Sequence, residues 1–277
     1  MEDNAGTYLI LDGDIKEASS PVHLDAASDD TAYEVLRIIR GVPLFFQDHY
    51  NRMRETFGVI GLSLEMSAGQ LTENIKKLLA VNKNDSCNVK VVVFIENGRQ
   101  RQLVYISKSY YPSEEEADEG VKTGLFQIER RNPNAKLLNQ DYKNAVNRKI
   151  NESGYVELIL VDSSGRVTEG SKSNVFFVIE DYIFTAPGEY VLKGITRKYV
   201  FEACRNAGFI VIEKFVDVGS LLQIAGAFLS GTSIKVLPIK TIDNINLNSS
   251  ANIAVAAVRR EYNKLLEKYI DEYVNIW

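Results

Sequence analysis

The chain has 277 residues, 45% of them hydrophobic and 25% charged, with a formal net charge of −5. That length suits two compact lobes, the composition excludes disorder on a large scale, and the mild acidic excess excludes a nucleic-acid backbone as the main partner. No segment approaches the ~20 apolar residues of a membrane span, the start Met1-Glu2-Asp3 is wrong for a signal peptide, and Cys87 and Cys204 each lie in an apolar stretch as reduced thiols do, so a cytoplasmic protein is expected.

Tyr8 to Leu11 reads as a strand, turned by Asp12-Gly13. Tyr33 to Arg40 is a second strand, Gly41-Val42-Pro43 turns it and Leu44 to Phe46 returns. A helix follows, with Asp48 as its cap and Met53, Phe57 and Ile60 on one apolar stripe with Arg52 near its edge. Ser67 to Gln70 has the form of a capping box, and Leu71, Ile75, Leu78 and Leu79 continue a second helical face. Asn88 to Ile95 and Gln102 to Ile106 form a hairpin across Asn97-Gly98. Pro112-Ser113-Glu114-Glu115-Glu116 offers nothing to bury and reads as a linker, so the expected division is a lobe over 1–112, a linker over 113–117 and a second lobe over 118–277.

The second lobe opens with a strand near Val121 to Glu129, a polar Arg130 to Asn134 loop, and a helix from about Gln140 to Asn151. Strands are expected at Val156 to Val161, Val175 to Ile179, Tyr182 to Thr185, Phe209 to Glu213 and Ala227 to Ser230, with a helix over Thr196 to Ala207 and a long C-terminal helix carrying Val255, Val258, Tyr262, Leu265, Tyr269 and Tyr273 at helical spacing.

Between two of these strands lies Val167-Thr168-Glu169-Gly170-Ser171-Lys172-Ser173-Asn174, a carboxylate among small hydroxyl and glycine residues. Taken alone it reads equally as a polar hairpin shoulder. Gly194-Ile195-Thr196 opens a helix whose N–H groups can face an anion, and Gly231-Thr232 follows a strand in the same manner. Neither His23 and His49 nor the cysteines have ligand spacing, so no metal centre is predicted.

Together, the Glu169 motif, Gly194-Ile195-Thr196-Arg197 and Ser230-Gly231-Thr232-Ser233 resemble the class IV aminotransferases, the fold-type IV pyridoxal-phosphate family that includes branched-chain aminotransferase, D-amino-acid aminotransferase and aminodeoxychorismate lyase. The resemblance runs from about Tyr33 to about Pro238. It implies an α/β (α+β) fold with a small N-terminal α/β lobe and a larger C-terminal lobe of mixed sheet or barrel with helices. It implies Lys136, three residues before Asn139, as the lysine that carries pyridoxal 5′-phosphate and moves the substrate's proton. Glu169 would meet the ring nitrogen. Arg52, in His49-Tyr50-Asn51-Arg52-Met53, would hold the phosphate with Ile195, Thr196, Gly231 and Thr232, and Ser173 and the Leu192 side chain would lie near phosphate and ring. Tyr33 and Ser233 would line the substrate pocket. Leu137 and Gln140 depart from the usual residues beside the lysine and the asparagine.

The implied reaction is amino transfer between an amino acid and a 2-oxo acid. Where D-amino-acid enzymes carry Arg-x-His the chain has Arg99-Gln100-Arg101-Gln102, and where branched-chain enzymes carry Phe-Glu-Gly it has Tyr33-Glu34-Val35, which ranks a branched-chain substrate first. A lyase-like enzyme and a cofactor-binding protein without turnover are the alternatives. The family places its cofactor between the lobes and completes the pocket from a second subunit, so a homodimer is expected, with Arg99 or Arg101 meeting a substrate carboxylate.

Overall fold

A computed structural model describes residues 3–19, 31–130 and 132–277. The fold is mixed α/β with two sheets. The chain divides into one unit of Met1–Ser109, Ala135–Gln140 and Glu267–Trp277, and another of Tyr110–Asn134 and Asp141–Leu266.

The first unit contains β1 (Tyr8–Leu11), β2 (Asp14–Glu17), β3 (Ala32–Ile39), β4 (Val42–Pro43), α1 (Phe46–Val59), α2 (Ala68–Asn82), β5 (Asn88–Glu96) and β6 (Arg99–Ser107), the strands lying in the order β2-β1-β6-β5-β3-β4. Its hairpins turn where expected, because Asp12-Gly13 and Asn97-Gly98 both take positive φ, the geometry a two-residue turn requires. Alternation along β3 points Ala32, Glu34, Leu36 and Ile38 to the buried face, where Met53 and Phe57 of α1 and Leu71, Ile75 and Leu78 of α2 complete the core. The Ser67 capping box forms at the start of α2. Asp48 does not cap α1. The helix starts after Phe45, whose left-handed backbone turns Phe45 and Phe46 into the core against Tyr269 and Trp277, and Asp48 falls inside the first turn.

The observed units differ from the expected division at 113–117. The units part between Ser109 and Tyr110. Rather than a linker, Glu114–Glu119 is a helix, α3: the Ser113 hydroxyl accepts from Glu116 N–H at 3.1 Å, the Glu116 carboxylate accepts from Ser113 N–H at 2.8 Å, and acidic residues suit the positive helix end. Residues 135–140 belong to the first unit because Leu137 bridges Ala32, Lys136 C=O accepts from Tyr33 N–H at 3.0 Å and Leu138 N–H donates to Thr31 C=O at 2.8 Å.

The second unit holds α3, β7 (Val121–Gln127), α4 (Gln140–Ser153), β8 (Glu157–Val161), β9 (Arg166–Gly170), β10 (Asn174–Ile179), β11 (Tyr182–Thr185), α5 (Ile195–Asn206), β12 (Ile210–Glu213), β13 (Val216–Asp217), β14 (Gly226–Gly231), β15 (Lys235–Ile242), β16 (Ile245–Asn246) and the first part of α6 (Ile253–Tyr273). Its sheet runs β12-β11-β10-β14-β15-β7-β8-β9-β13. β8 is buried along its whole length, as a strand paired in parallel on one side and antiparallel on the other can be, and Phe176 of β10 stacks on Phe228 of β14 at 4.9 Å. Each unit has one cysteine in its interior; burial pushes the thiol pKa of Cys87 up to about 11 and that of Cys204 up to about 12. No helix among the described residues is long and apolar enough to cross a membrane.

Candidate active site

The first unit carries Arg52 on α1, Tyr33 on the face of β3 opposite Glu34, and Lys136 beside Thr56 and the Tyr33 ring. His49, Arg52 and Thr56 share one face of α1, and all three are buried. Arg52 is therefore inside the stripe rather than at its edge. Its Nε donates to Glu34 Oε1 and its Nη2 to Glu34 Oε2, both at 2.7 Å, a bidentate pair with less than a tenth of either side chain exposed. Burial pushes the Glu34 carboxyl up, but the Arg52 charge with the hydrogen bonds from Arg52 and His49 holds it far below the ordinary range. Burial pushes His49 down, aided by the Arg52 and Lys136 charges and opposed by Glu34. The neutral ring then donates its Nδ1 proton to Glu34 Oε2 at 2.8 Å, since an ionised carboxylate only accepts. His23, the other histidine, lies outside the described residues.

Lys136 is half-buried, with its N–H on the Thr56 hydroxyl at 3.3 Å and its ammonium 4.7 Å from the centroid of the Tyr33 ring. A second lysine, Lys90, stands 5.2 Å from the same ring and pairs with Asp3 at 2.7 Å. Arg99 and Arg101 are elsewhere on the sheet. Tyr33 pairs with Val92, whereas Arg99 pairs with Glu96 at the hairpin tip, roughly 13 Å further along β5. Arg101 is held there by Asp12 and Glu96, and Arg99 is exposed.

The second unit gathers Glu169, Ser173 and Leu192. In the β8–β9 ladder Ile159 pairs with Gly170 and Val161 with Val167, so Thr168 and Glu169 together face the single residue Leu160. This bulge re-aims the Glu169 side chain, which is 3% exposed. Glu169 Oε1 accepts from Arg130 Nη1 at 3.1 Å, and Oε2 accepts from the Leu192 N–H at 3.0 Å and from Asn174 Nδ2 at 3.4 Å. Leu192 meets Glu169 through its backbone N–H, and its carbonyl also accepts from Asn174 Nδ2 at 3.0 Å. Ser173 turns its hydroxyl to the buried Glu157.

No side chain caps α5, which begins at Ile195 after Gly194. A Cβ on Gly194 would lie 2.3 Å from Asn174 Oδ1, so the helix start must be glycine to sit this close to the motif. Burial pushes the Tyr262 hydroxyl pKa up, opposed by the neighbouring Thr196 side chain. Gly231, Thr232 and Ser233 form the turn between β14 and β15, where a Cβ on Gly231 would approach the Lys172 carbonyl at 3.7 Å. Ser230, paired with Asn174 across the strands, has a buried Oγ without a hydrogen-bond partner among the described residues. A buried carboxylate, an uncapped helix start, a glycine turn and an orphaned hydroxyl in one unit fit an anionic ligand with a basic ring nitrogen.

Known proteins agree with that chemistry. The pattern of the amino-transferase class IV family matches residues 31–242. The chain belongs to the class IV aminotransferases. A class IV aminotransferase works with pyridoxal phosphate and moves an amino group between an amino acid and a 2-oxo acid, and this chain is such an enzyme. It is 28% identical over 233 residues to the D-alanine aminotransferase of Bacillus licheniformis, covering 80% of this chain and 82% of that one. It is 23% identical over 257 residues to the aminodeoxychorismate lyase of Bacillus subtilis, covering 87% of each. In fold it is similar to the branched-chain amino acid aminotransferase from Thermobaculum terrenum in its PLP-form, with a TM-score of 0.81, 21% identity, and 99% and 97% of the two chains covered. Those three proteins carry three different activities, so similarity alone assigns this aminotransferase its family and not its substrate.

Sequence reasoning missed Arg130 and Glu157. Arg130 sits outside regular structure, read only as part of a polar loop, and Glu157 opens a strand that otherwise looks wholly apolar. A charged residue at the mouth of a buried strand was the available signal.

Proposed function

We propose that the enzyme is a cytoplasmic homodimer acting on a branched-chain amino acid and a 2-oxo acid, with Lys136 as the lysine that binds pyridoxal phosphate. When bound, the cofactor supplies an electron sink for breaking a bond at the substrate's α-carbon. Lys136 Nζ, once displaced by the substrate's amine, would be the base that carries the α-carbon's proton. Glu169 accepts a hydrogen bond from the ring N–H and so keeps the proton there. The start of α5 at Ile195 and Thr196, the Gly231–Thr232 turn and Arg52 hold the phosphate, and Tyr33 and Ser233 line the substrate pocket. The observation that carries this reading is Glu169, turned inward by a bulge and set against a cation within the family's motif.

Arg101 is occupied by two carboxylates of its own unit, which supports Arg99 as the cation that meets a substrate carboxylate across a two-fold interface. The substrate order rests on Tyr33-Glu34-Val35.

Borohydride reduction followed by peptide mass analysis tests the lysine: a pyridoxyl group on the Lys136 peptide is expected, and a label on another lysine overturns the assignment. An amino-acid panel read at the cofactor's visible band tests the substrate. The largest shift is expected with leucine, isoleucine or valine; a D-amino acid leading the panel displaces the branched-chain reading, and a band indifferent to every amino acid leaves a binding protein without turnover. Sedimentation of an active monomer removes the shared site.

A further inference from the structure

We propose that Glu157 is a positioning residue that fixes Glu169 and Ser173 for the cofactor, an inference that rests on the proposed function above. Glu157 opens β8 and is 6% exposed. Its Oε1 accepts from the Leu158 N–H at 2.9 Å, the Ser171 N–H at 3.1 Å and the Ser171 hydroxyl, and its Oε2 from the Lys172 N–H at 3.2 Å and the Ser173 hydroxyl at 3.0 Å. All five donors are backbone N–H groups or hydroxyls. A carboxylate buried on neutral donors pays for desolvation without a counter-charge, so what it contributes is the geometry of the donors it gathers.

Four of the five donors come from three consecutive residues, Ser171 to Ser173, the turn that joins β9 to β10 and has Glu169 and Asn174 just outside it. The turn is closed by Gly170 N–H on Ser173 C=O at 2.8 Å, and the Ser173 side chain folds so tightly over Gly170 that a Cβ there would lie 2.0 Å from Ser173 Oγ. The other side is held by Tyr142 of α4, whose hydroxyl donates to Ser171 C=O at 2.9 Å. The Arg130 guanidinium lies 5.7 Å from the Tyr142 ring and reaches Glu169. A circuit results, from Glu157 through the turn to Asn174 and Glu169, and back through Arg130 and Tyr142. Shifting the turn moves Glu169 from both ends.

Glu157→Gln tests this in the holoenzyme. An amide offers one accepting oxygen and turns an NH2 group toward donors, so at least one backbone N–H loses its partner. The expected result is a pyridoxal-phosphate dissociation constant raised about tenfold or more, a displaced visible band and a comparable fall in kcat, with an unchanged far-ultraviolet spectrum. Glu157→Asp, which keeps the charge, should restore part of each. A folded Glu157→Gln enzyme with wild-type band, dissociation constant and kcat overturns the proposal, whatever its melting temperature. Should Glu157→Gln not fold, Ser173→Ala and Ser171→Ala, each removing one donor, decide: a displaced band in either supports the role, and wild-type band and affinity in both overturn it. A wild-type chain that takes up no pyridoxal phosphate sinks the proposed function first, and this inference with it.

Discussion

Glu34 and Glu169 are both buried carboxylates set against an arginine, and the two pairs differ in kind. Glu34 sits on a regular strand and takes both prongs of Arg52 from a regular helix, with a third hydrogen bond from His49. Glu169 sits on a bulge and takes one prong of Arg130, from a stretch without regular structure, plus a backbone N–H and a longer amide contact. The first arrangement holds Arg52 rigidly in place, since breaking a desolvated bidentate pair leaves a buried charge uncompensated. The second orients an acceptor through several single contacts, as suits a group that must meet a ligand.

The comparison breaks most visibly at Arg52. Arg52→Ala should cost about 3–5 kcal/mol of stability, read as a lowered denaturant midpoint at unchanged slope. A loss under 1 kcal/mol would mean that Glu34 is not held in the way described. Glu169→Gln should do the reverse: turnover falls roughly a hundredfold, because a charged hydrogen bond of about 2–3 kcal/mol is lost where it acts on the ring, while the melting temperature hardly moves. Unchanged turnover would leave Glu169 a hairpin residue. Arg130→Gln is expected in between, at about tenfold in turnover, and a larger loss than in Glu169→Gln would assign the main role to the arginine.

The smallest effect is in acid. His49 has a folded pKa below its ordinary 6.5 and Glu34 one below its ordinary 4.5, so in both cases the unfolded chain takes up the proton first. Their contributions are complete above those ordinary values and are lost as pH falls, His49 from about pH 6.5 and Glu34 from about pH 4.5. His49→Gln should flatten the upper part of the profile of unfolding free energy against pH. A wild-type profile already flat between pH 6.5 and 5 would show His49 uncoupled from folding.

Legibility followed the same line. Residues whose roles depend on near neighbours were readable: the turns at Asp12-Gly13 and Asn97-Gly98, the Ser67 box, and the stripe through Met53 and Phe57. The α3 signal was present too, as Ser113 and Glu116 three apart, but the acidic composition outweighed it. What depends on long-range pairing was not readable. The bulge at Thr168–Glu169 exists only against β8, β15 lies parallel to β7 across more than a hundred residues of chain, and the return of 135–140 to the first unit turns on Ala32 and Thr31. Lys136 and Glu169 were picked out by motif, whereas the partners that hold them, Thr56 and Arg130, are set by the fold.

The two buried cysteines give this chain a built-in pair of clocks. With pKa values of about 11 and 12, almost no thiolate is present near neutral pH, and each sulfur is shielded by the core around it. An alkylating reagent can then react at Cys87 only when the first unit opens and at Cys204 only when the second does. Two labelling rates, separated by peptide mass, would time the breathing of each unit without any engineered probe.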